Sequence, residues 1–196
     1  MALSAENRRA SRTPLPVRAH PLVLGVVLFL ASELMFFAAL FAAYYDLRAN
    51  RATWPPAYAH LDLAEGAFGT FLLFAASAVM VLAGRAMDRD RIRAARWWTA
   101  SAVVAAVGFV AQSLRAYAAN GFSIRSDAYG SIYYTMTGFH LLHVVAGIGI
   151  LITLLVGMRS RALTVNHRAG TEAMTYYWHF VFVVWLGIFA TIYLVR

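Results

Sequence analysis

Five apolar runs, at about residues 22–45, 64–84, 97–118, 131–157 and 173–195, alternate with short polar stretches. Each is long enough to cross a bilayer as a helix. The first reads LVLGVVLFLASELMFFAALFAAYY. As a helix it would be about 36 Å long, against a hydrocarbon core of about 30 Å. Glu33 is its only ionisable residue before Asp46 and falls near the membrane midplane. The pattern predicts an all-α polytopic membrane protein in which residues 22–196 form a bundle of five transmembrane helices. A polar N-terminal arm, residues 1–21, precedes it and carries Arg8, Arg9, Arg12 and Arg18 with Pro14, Pro16 and Pro21. The run after the arm is longer than the apolar core of a signal peptide and contains Glu33, so the arm is not read as a cleaved leader. No internal repeat is visible, which argues against a transporter built from matched halves.

Composition agrees with this reading. Hydrophobic residues make up 61% of the 196 and charged residues 13%, whereas soluble domains average about 25% charged. The net charge of +8 would suit nucleic acid if it lay on one polar face, but the arginines sit between apolar runs and report topology instead. The side holding the N-terminus carries Arg8, Arg9, Arg12, Arg18, Arg85, Arg89, Arg91, Arg93, Arg96, Arg159, Arg161 and Arg168. The other side has only Arg48, Arg51, Arg115, Arg125 and Arg196. The positive-inside rule then predicts a cytoplasmic N-terminus and an external C-terminus. Tyr44, Tyr45, Tyr117, Tyr129, Tyr133, Tyr134 and Tyr193 near the outer ends, and Trp97, Trp98, Tyr176, Tyr177 and Trp178 near the inner ends, are expected to form two interfacial belts. With no cysteine, disulfides, thiolate metal sites, iron–sulfur ligation and covalent haem attachment through cysteines are excluded.

Polar chemistry is concentrated at a few intramembrane positions. An ionised, unpaired Glu33 would cost several kcal/mol, so the acid is expected to be protonated, paired or turned towards protein. On the fourth run Thr137, His140 and His143 recur every third residue along one broad face, and His143 lies at a depth comparable with Glu33. His179 sits within YYWHFVFVVW on the fifth. Three histidines and a glutamate suit a zinc, copper or iron site. They also suit a set of hydrogen bonds in a dry interior, in which Glu33 and His143 are the preferred pair. Two stripes of small residues, Gly25, Ser32, Ala39 and Ala43 on the first run and Ala146, Gly149, Thr153 and Gly157 on the fourth, are expected to be close-packing seams. Arg115, in the outer part of the third run, is expected to reach water, lipid phosphate or a carboxylate such as Asp127.

Several stretches together resemble subunit III of the haem-copper oxidases, in the short five-helix bacterial form. They are GVVLFLASELMFF at 25–37, Trp54-Pro55-Pro56, TGFHLLHV at 137–144, and Tyr177-Trp178-His179-Phe180 with Trp185. The resemblance implies a non-catalytic subunit of a terminal oxidase such as cytochrome c oxidase. Such a subunit binds no haem or copper itself, packs against the catalytic haem-copper subunit I and subunit II, holds phospholipid in a cleft, and supports proton uptake. It implies a bacterial plasma-membrane location, and it makes Glu33 the counterpart of the family's intramembrane glutamate. An accessory protein of nitric oxide reductase is the alternative, and a stand-alone transporter or proton channel a third reading. Two positions depart from the family pattern. Phe182 stands where the family usually has Asp, and Gln112-Ser113-Leu114-Arg115-Ala116 replaces its usual Gln-x-x-Glu-Tyr. Phe182 is therefore expected to pack against apolar side chains, and His179 to find another partner.

Overall fold

A computed structural model describes residues 20–160 and 167–195; the N-terminal arm up to residue 19, Arg161 and Arg196 lie outside the described residues. The described residues form five long helices, α1 (Pro21–Ala49), α2 (Leu63–Asp88), α3 (Ile92–Ala119), α4 (Ala128–Ser160) and α5 (His167–Phe189). The last is continued by a wider π-helical turn, Ala190–Leu194. All five are long and apolar enough to span a membrane.

The helix ends follow local chemistry. The His20 side chain accepts a hydrogen bond from the Leu22 amide, and Pro21 occupies the first helical position of α1, where no amide is needed. Asp62 caps α2 through the Ala64 amide at 2.8 Å, and Asp127 caps α4 through the Gly130 amide at 2.8 Å. Between α2 and α3, Asp90 takes φ 55°. The Asp90 amide bonds to Met87 O and the Arg91 amide to Ala86 O, a Schellman closure that lets the chain reverse within three residues. The Asp90 side chain is held there by Arg168 at 2.6 Å.

The sequence placed the starts of α3 and α5 five or six residues too late. Both helices continue as polar or mixed turns beyond the apolar core, α3 through Arg93 and Arg96, α5 through Arg168 and Glu172. Among the described residues α5 packs against α1, α2 and α4, and α4 against α1, α3 and α5, whereas α1 meets only α4 and α5 to any extent. Trp178, Leu73, Met80, Met136 and Ile188 are wholly buried in the core. An apolar cleft of about 300 Å³ opens between α1, α4 and α5, lined by Val26, Phe29, Leu154, Met174 and Tyr177 among others.

The small-residue stripes turn inward less than expected. Gly25, Ser32, Ala39 and Ala43 all face outward, and a Cβ on Gly25 would meet nothing within 4 Å. On α4, Ala146, Gly149 and Thr153 are exposed and only Gly157 of the expected four is buried, while the close approach occurs at Gly147, where a Cβ would stand 2.8 Å from the Tyr177 ring. A helix apolar on every side carries no moment to tell which small residues turn inward. The outer aromatic belt also differs. Tyr44, Tyr129 and Tyr133 are buried at 1–2% exposure, the first two because the loop after α1 folds Trp54 back between Tyr44 (5.3 Å) and Tyr129 (5.1 Å), the third against Phe122 (5.3 Å). On the opposite side Trp97 and Tyr176 do face outward, while Tyr177 and Trp178 are buried.

Candidate functional site

Glu33 and His143 meet in the seam between α1 and α4, with His143 Nε2 3.0 Å from Glu33 Oε2. Both are largely enclosed, their side chains 22% and 13% exposed. The Phe37 ring stands 5.2 Å from the imidazole, and the Tyr177 hydroxyl donates to the His143 carbonyl at 2.7 Å, so neighbours on α1 and α5 fix the depth of the pair.

Its proton count follows from the other ring nitrogen. His143 Nδ1 lies 2.7 Å from the Phe139 carbonyl, which can only accept, so Nδ1 carries a hydrogen and donates it. One further proton must then lie between Nε2 and Oε2. Either a carboxylic acid donates to a neutral imidazole, or an imidazolium donates to a carboxylate. In both forms the pair carries no net charge, as suits groups held away from water.

The remaining polar residues do not join this pair. Thr137 Oγ1 accepts from the Tyr117 hydroxyl of α3 at 2.7 Å and donates to Tyr133 O at 2.7 Å. His140, 1% exposed, places Nε2 3.0 Å from the Val181 carbonyl of α5, so Nε2 is the donor; the ring lies 5.2 Å from that of Trp185. Trp185 in turn donates to Thr70 Oγ1 at 2.9 Å, tying α5 to α2. His179 is turned outward and donates from Nδ1 to Thr175 O of its own helix at 2.7 Å. Thr137, His140 and His143 of α4 thus each engage a different neighbouring helix. Among the described residues no three His, Cys, Asp or Glu side chains come close enough to hold a metal.

Phe182 and Arg115 have distinct surroundings. Phe182 is half-buried and packs on Phe74 of α2, ring centroids 5.7 Å apart, while His179 bonds to Thr175 O instead. Arg115 extends outward with its side chain 82% exposed, and its nearest carboxylate is Glu65 at 3.9 Å. Asp127, one of the partners expected for it beside water and lipid phosphate, is occupied by the α4 cap and by Tyr58. Gln112 donates to the Glu65 carbonyl at 2.6 Å, so this part of α3 is fastened to the start of α2. Tyr117, Tyr177 and Thr70 were not foreseen as members of the polar set. Their hydroxyls could have been flagged by the need of Thr137, the His143 carbonyl and Trp185 for partners at matching depth.

The sequence profile of the family described as "Cytochrome c oxidase subunit III" matches residues 8–195. The chain belongs to the cytochrome c oxidase subunit III family. Among its relatives, "Probable cytochrome c oxidase subunit 3" of Nocardia farcinica is 38% identical over 183 residues, 91% of this chain and 90% of that protein. "Cytochrome c oxidase subunit 3" of Corynebacterium diphtheriae is 33% identical over 185 residues, again 91% and 90%. The protein of the same name from Thermostichus vulcanus is 36% identical over 176 residues, 88% and 86%. The match covers all five spanning helices, so the polar pair, the aromatic cluster, Phe182 and Arg115 lie inside the matched region. The subunit III family does not carry the metal centres of the oxidase.

Proposed function

We infer that the chain acts as the non-catalytic, membrane-embedded third subunit of a haem-copper terminal oxidase. The observation that carries this reading is the family match running through all five transmembrane helices. The relatives named above are oxidase subunits, and none points to nitric oxide reductase. In this reading haem and copper sit in the catalytic subunit I, with subunit II beside it. The present chain stabilises that assembly and its proton uptake. The chain lies in a bacterial plasma membrane with its N-terminus cytoplasmic, supported by the arginine asymmetry. Phospholipid acyl chains occupy the apolar cleft between α1, α4 and α5, which has the lining that a hydrocarbon chain needs. Glu33 and His143 form an uncharged pair, acid donating to imidazole, since separating charges in a low-dielectric seam is unfavourable unless further hydrogen bonds compensate.

Purification of the tagged chain in mild detergent from its native membrane tests the reading. A copurifying catalytic subunit with the optical spectrum of a haem-copper oxidase is expected. Recovery of nitric oxide reductase components, or of the chain alone, would overturn it.

A further inference from the structure

Two grooves open on the arginine-rich side of the bundle, and they differ in charge. The groove between α2 and α5, about 470 Å³, is lined by both signs, Arg85 and Arg168 with Asp88 and Glu172. The groove between the start of α3 and the end of α4, about 430 Å³, is lined by Arg93, Arg96 and Arg159 and by no carboxylate. Its other walls are apolar, with Ala100 and Leu155 deeper along the helices. Trp97 stands at its edge, 77% exposed. Among the described residues none of the three arginines forms an ion pair, whereas Arg168 on the other groove is taken by Asp90.

Three cations gathered from two helices at one end, above an apolar trough with an indole at its rim, match an amphiphile with a negative head and hydrocarbon tails. The arginines would neutralise phosphate oxygens through paired N–H donors. The indole belongs at headgroup depth, and the trough continues into the hydrocarbon region. Basic pockets between transmembrane helices are a recognised setting for anionic headgroups. The mixed groove lacks this complementarity, because Asp88 and Glu172 would repel the same phosphate.

We propose that the α3–α4 groove is a binding site for an anionic phospholipid, its phosphate held by Arg93, Arg96 and Arg159 and its acyl chain laid along Ala100 and Leu155 beside Trp97. This site is separate from the apolar cleft between α1, α4 and α5. It rests on the membrane-spanning arrangement and not on the oxidase assignment, so failure of one leaves the other standing.

The test uses the full chain, with the proteins that copurify with it, reconstituted into vesicles whose phosphatidylglycerol or phosphatidylcholine carries brominated acyl chains. Fluorescence quenching assigned to Trp97 is the difference between wild type and Trp97→Phe. Brominated phosphatidylglycerol should quench this indole at much lower mole fraction than brominated phosphatidylcholine. Arg96→Gln should weaken the preference roughly fivefold, the factor for one arginine at a charged membrane surface. Arg85→Gln, in the mixed groove, should leave it unchanged. Equal quenching by the two lipids, or equal loss in Arg85→Gln and Arg96→Gln, would overturn the proposal and reduce the arginines to determinants of topology. Should Arg96→Gln fail to insert, Arg159→Gln provides the same comparison from the opposite helix.

Discussion

α1 and α5 are both spanning helices, yet 17% of the most apolar window of α1 is buried within the chain against 44% for α5. α5 is packed on three sides, with close contacts to α2 at Gly66, where a Cβ would stand 2.8 Å from Phe189, and to α4 at Gly147. α1 touches the bundle along one narrow line. Val23 rests against Ala169 and Ala173, Glu33 reaches His143, the Phe41 ring covers Gly187, Tyr44 donates to Thr191 O at 3.3 Å, and Arg48 bonds to Val195 O. Helices in lipid gain nothing from hiding apolar surface from each other, so association rests on close packing and on polar contacts. α5 uses both, tied to α2 and α4 also by Trp185, Val181 O and Tyr177, whereas α1 leans mainly on the second. The rest of α1, with Leu28, Leu34 and Met35 at 57–76% exposure, is left for lipid or a partner subunit.

The sharpest way to break this contrast is to crowd both helices alike. Gly147→Leu must displace Tyr177 and the wholly buried Trp178, and should lower stability by up to about 3 kcal/mol. Gly25→Leu should change the stability of this chain by no more than about 0.5 kcal/mol. Denaturation midpoints of the purified subunit measure both, and equal shifts would mean that α1 is packed as α5 is.

A second, smaller effect concerns the polar joint of α1. Glu33→Leu leaves His143 Nε2 without a partner and should cost about 2 kcal/mol. Glu33→Gln supplies an amide donor to the same nitrogen and should cost less. The double variant Glu33→Leu with His143→Leu should be less damaged than the sum of the single losses. Additive losses in that cycle would show that the two side chains do not act together.

The smallest effect is at the capped end of α4, remote from the pair. Burial raises the pKa of Asp127, but hydrogen bonds from the Gly130 amide, Tyr58 and the Tyr129 amide, with the charge of Arg51, outweigh it and hold the value below the usual 3.8. A carboxylate with a depressed folded pKa stabilises the fold fully above its unfolded pKa, and that contribution is lost as pH falls through the lower folded value. Unfolding midpoints should therefore decline below about pH 4 in wild type and less in Asp127→Asn. Asp127→Ala should cost about 1 kcal/mol at neutral pH by loss of the cap. Parallel acid profiles for wild type and Asp127→Asn would remove Asp127 from this explanation.

The five spans were legible because uninterrupted apolar length has few other meanings. The pairing of Glu33 with His143 was legible because two ionisable groups at equal depth in apolar surroundings each need a partner. The expected single network was not. Residues spaced by three on a helix turn by about 60° at each step, so Thr137, His140 and His143 fan over about 120° and face α3, α5 and α1 in turn. Depth can be counted along a sequence, but rotation about the helix axis cannot when every face is apolar. That is why His179 proved to point outward, and why the seam of α4 lies at Gly147 and not at its neighbours Ala146 and Gly149. Arg115 does turn outward as expected, but which carboxylate lies nearest it was not legible, for another reason. Glu65 lies fifty residues earlier, and only the packing of α2 on α3 brings it near.

The uncharged state of the Glu33–His143 pair is tested most directly by infrared difference spectroscopy of the assembled complex at neutral pH, comparing wild type with Glu33→Gln. A carbonyl stretch of a protonated carboxylic acid, present in wild type and absent in the variant, is the expected result. Loss of carboxylate bands instead, with no protonated-acid band in wild type, would show an imidazolium–carboxylate ion pair and contradict the uncharged joint between α1 and α4.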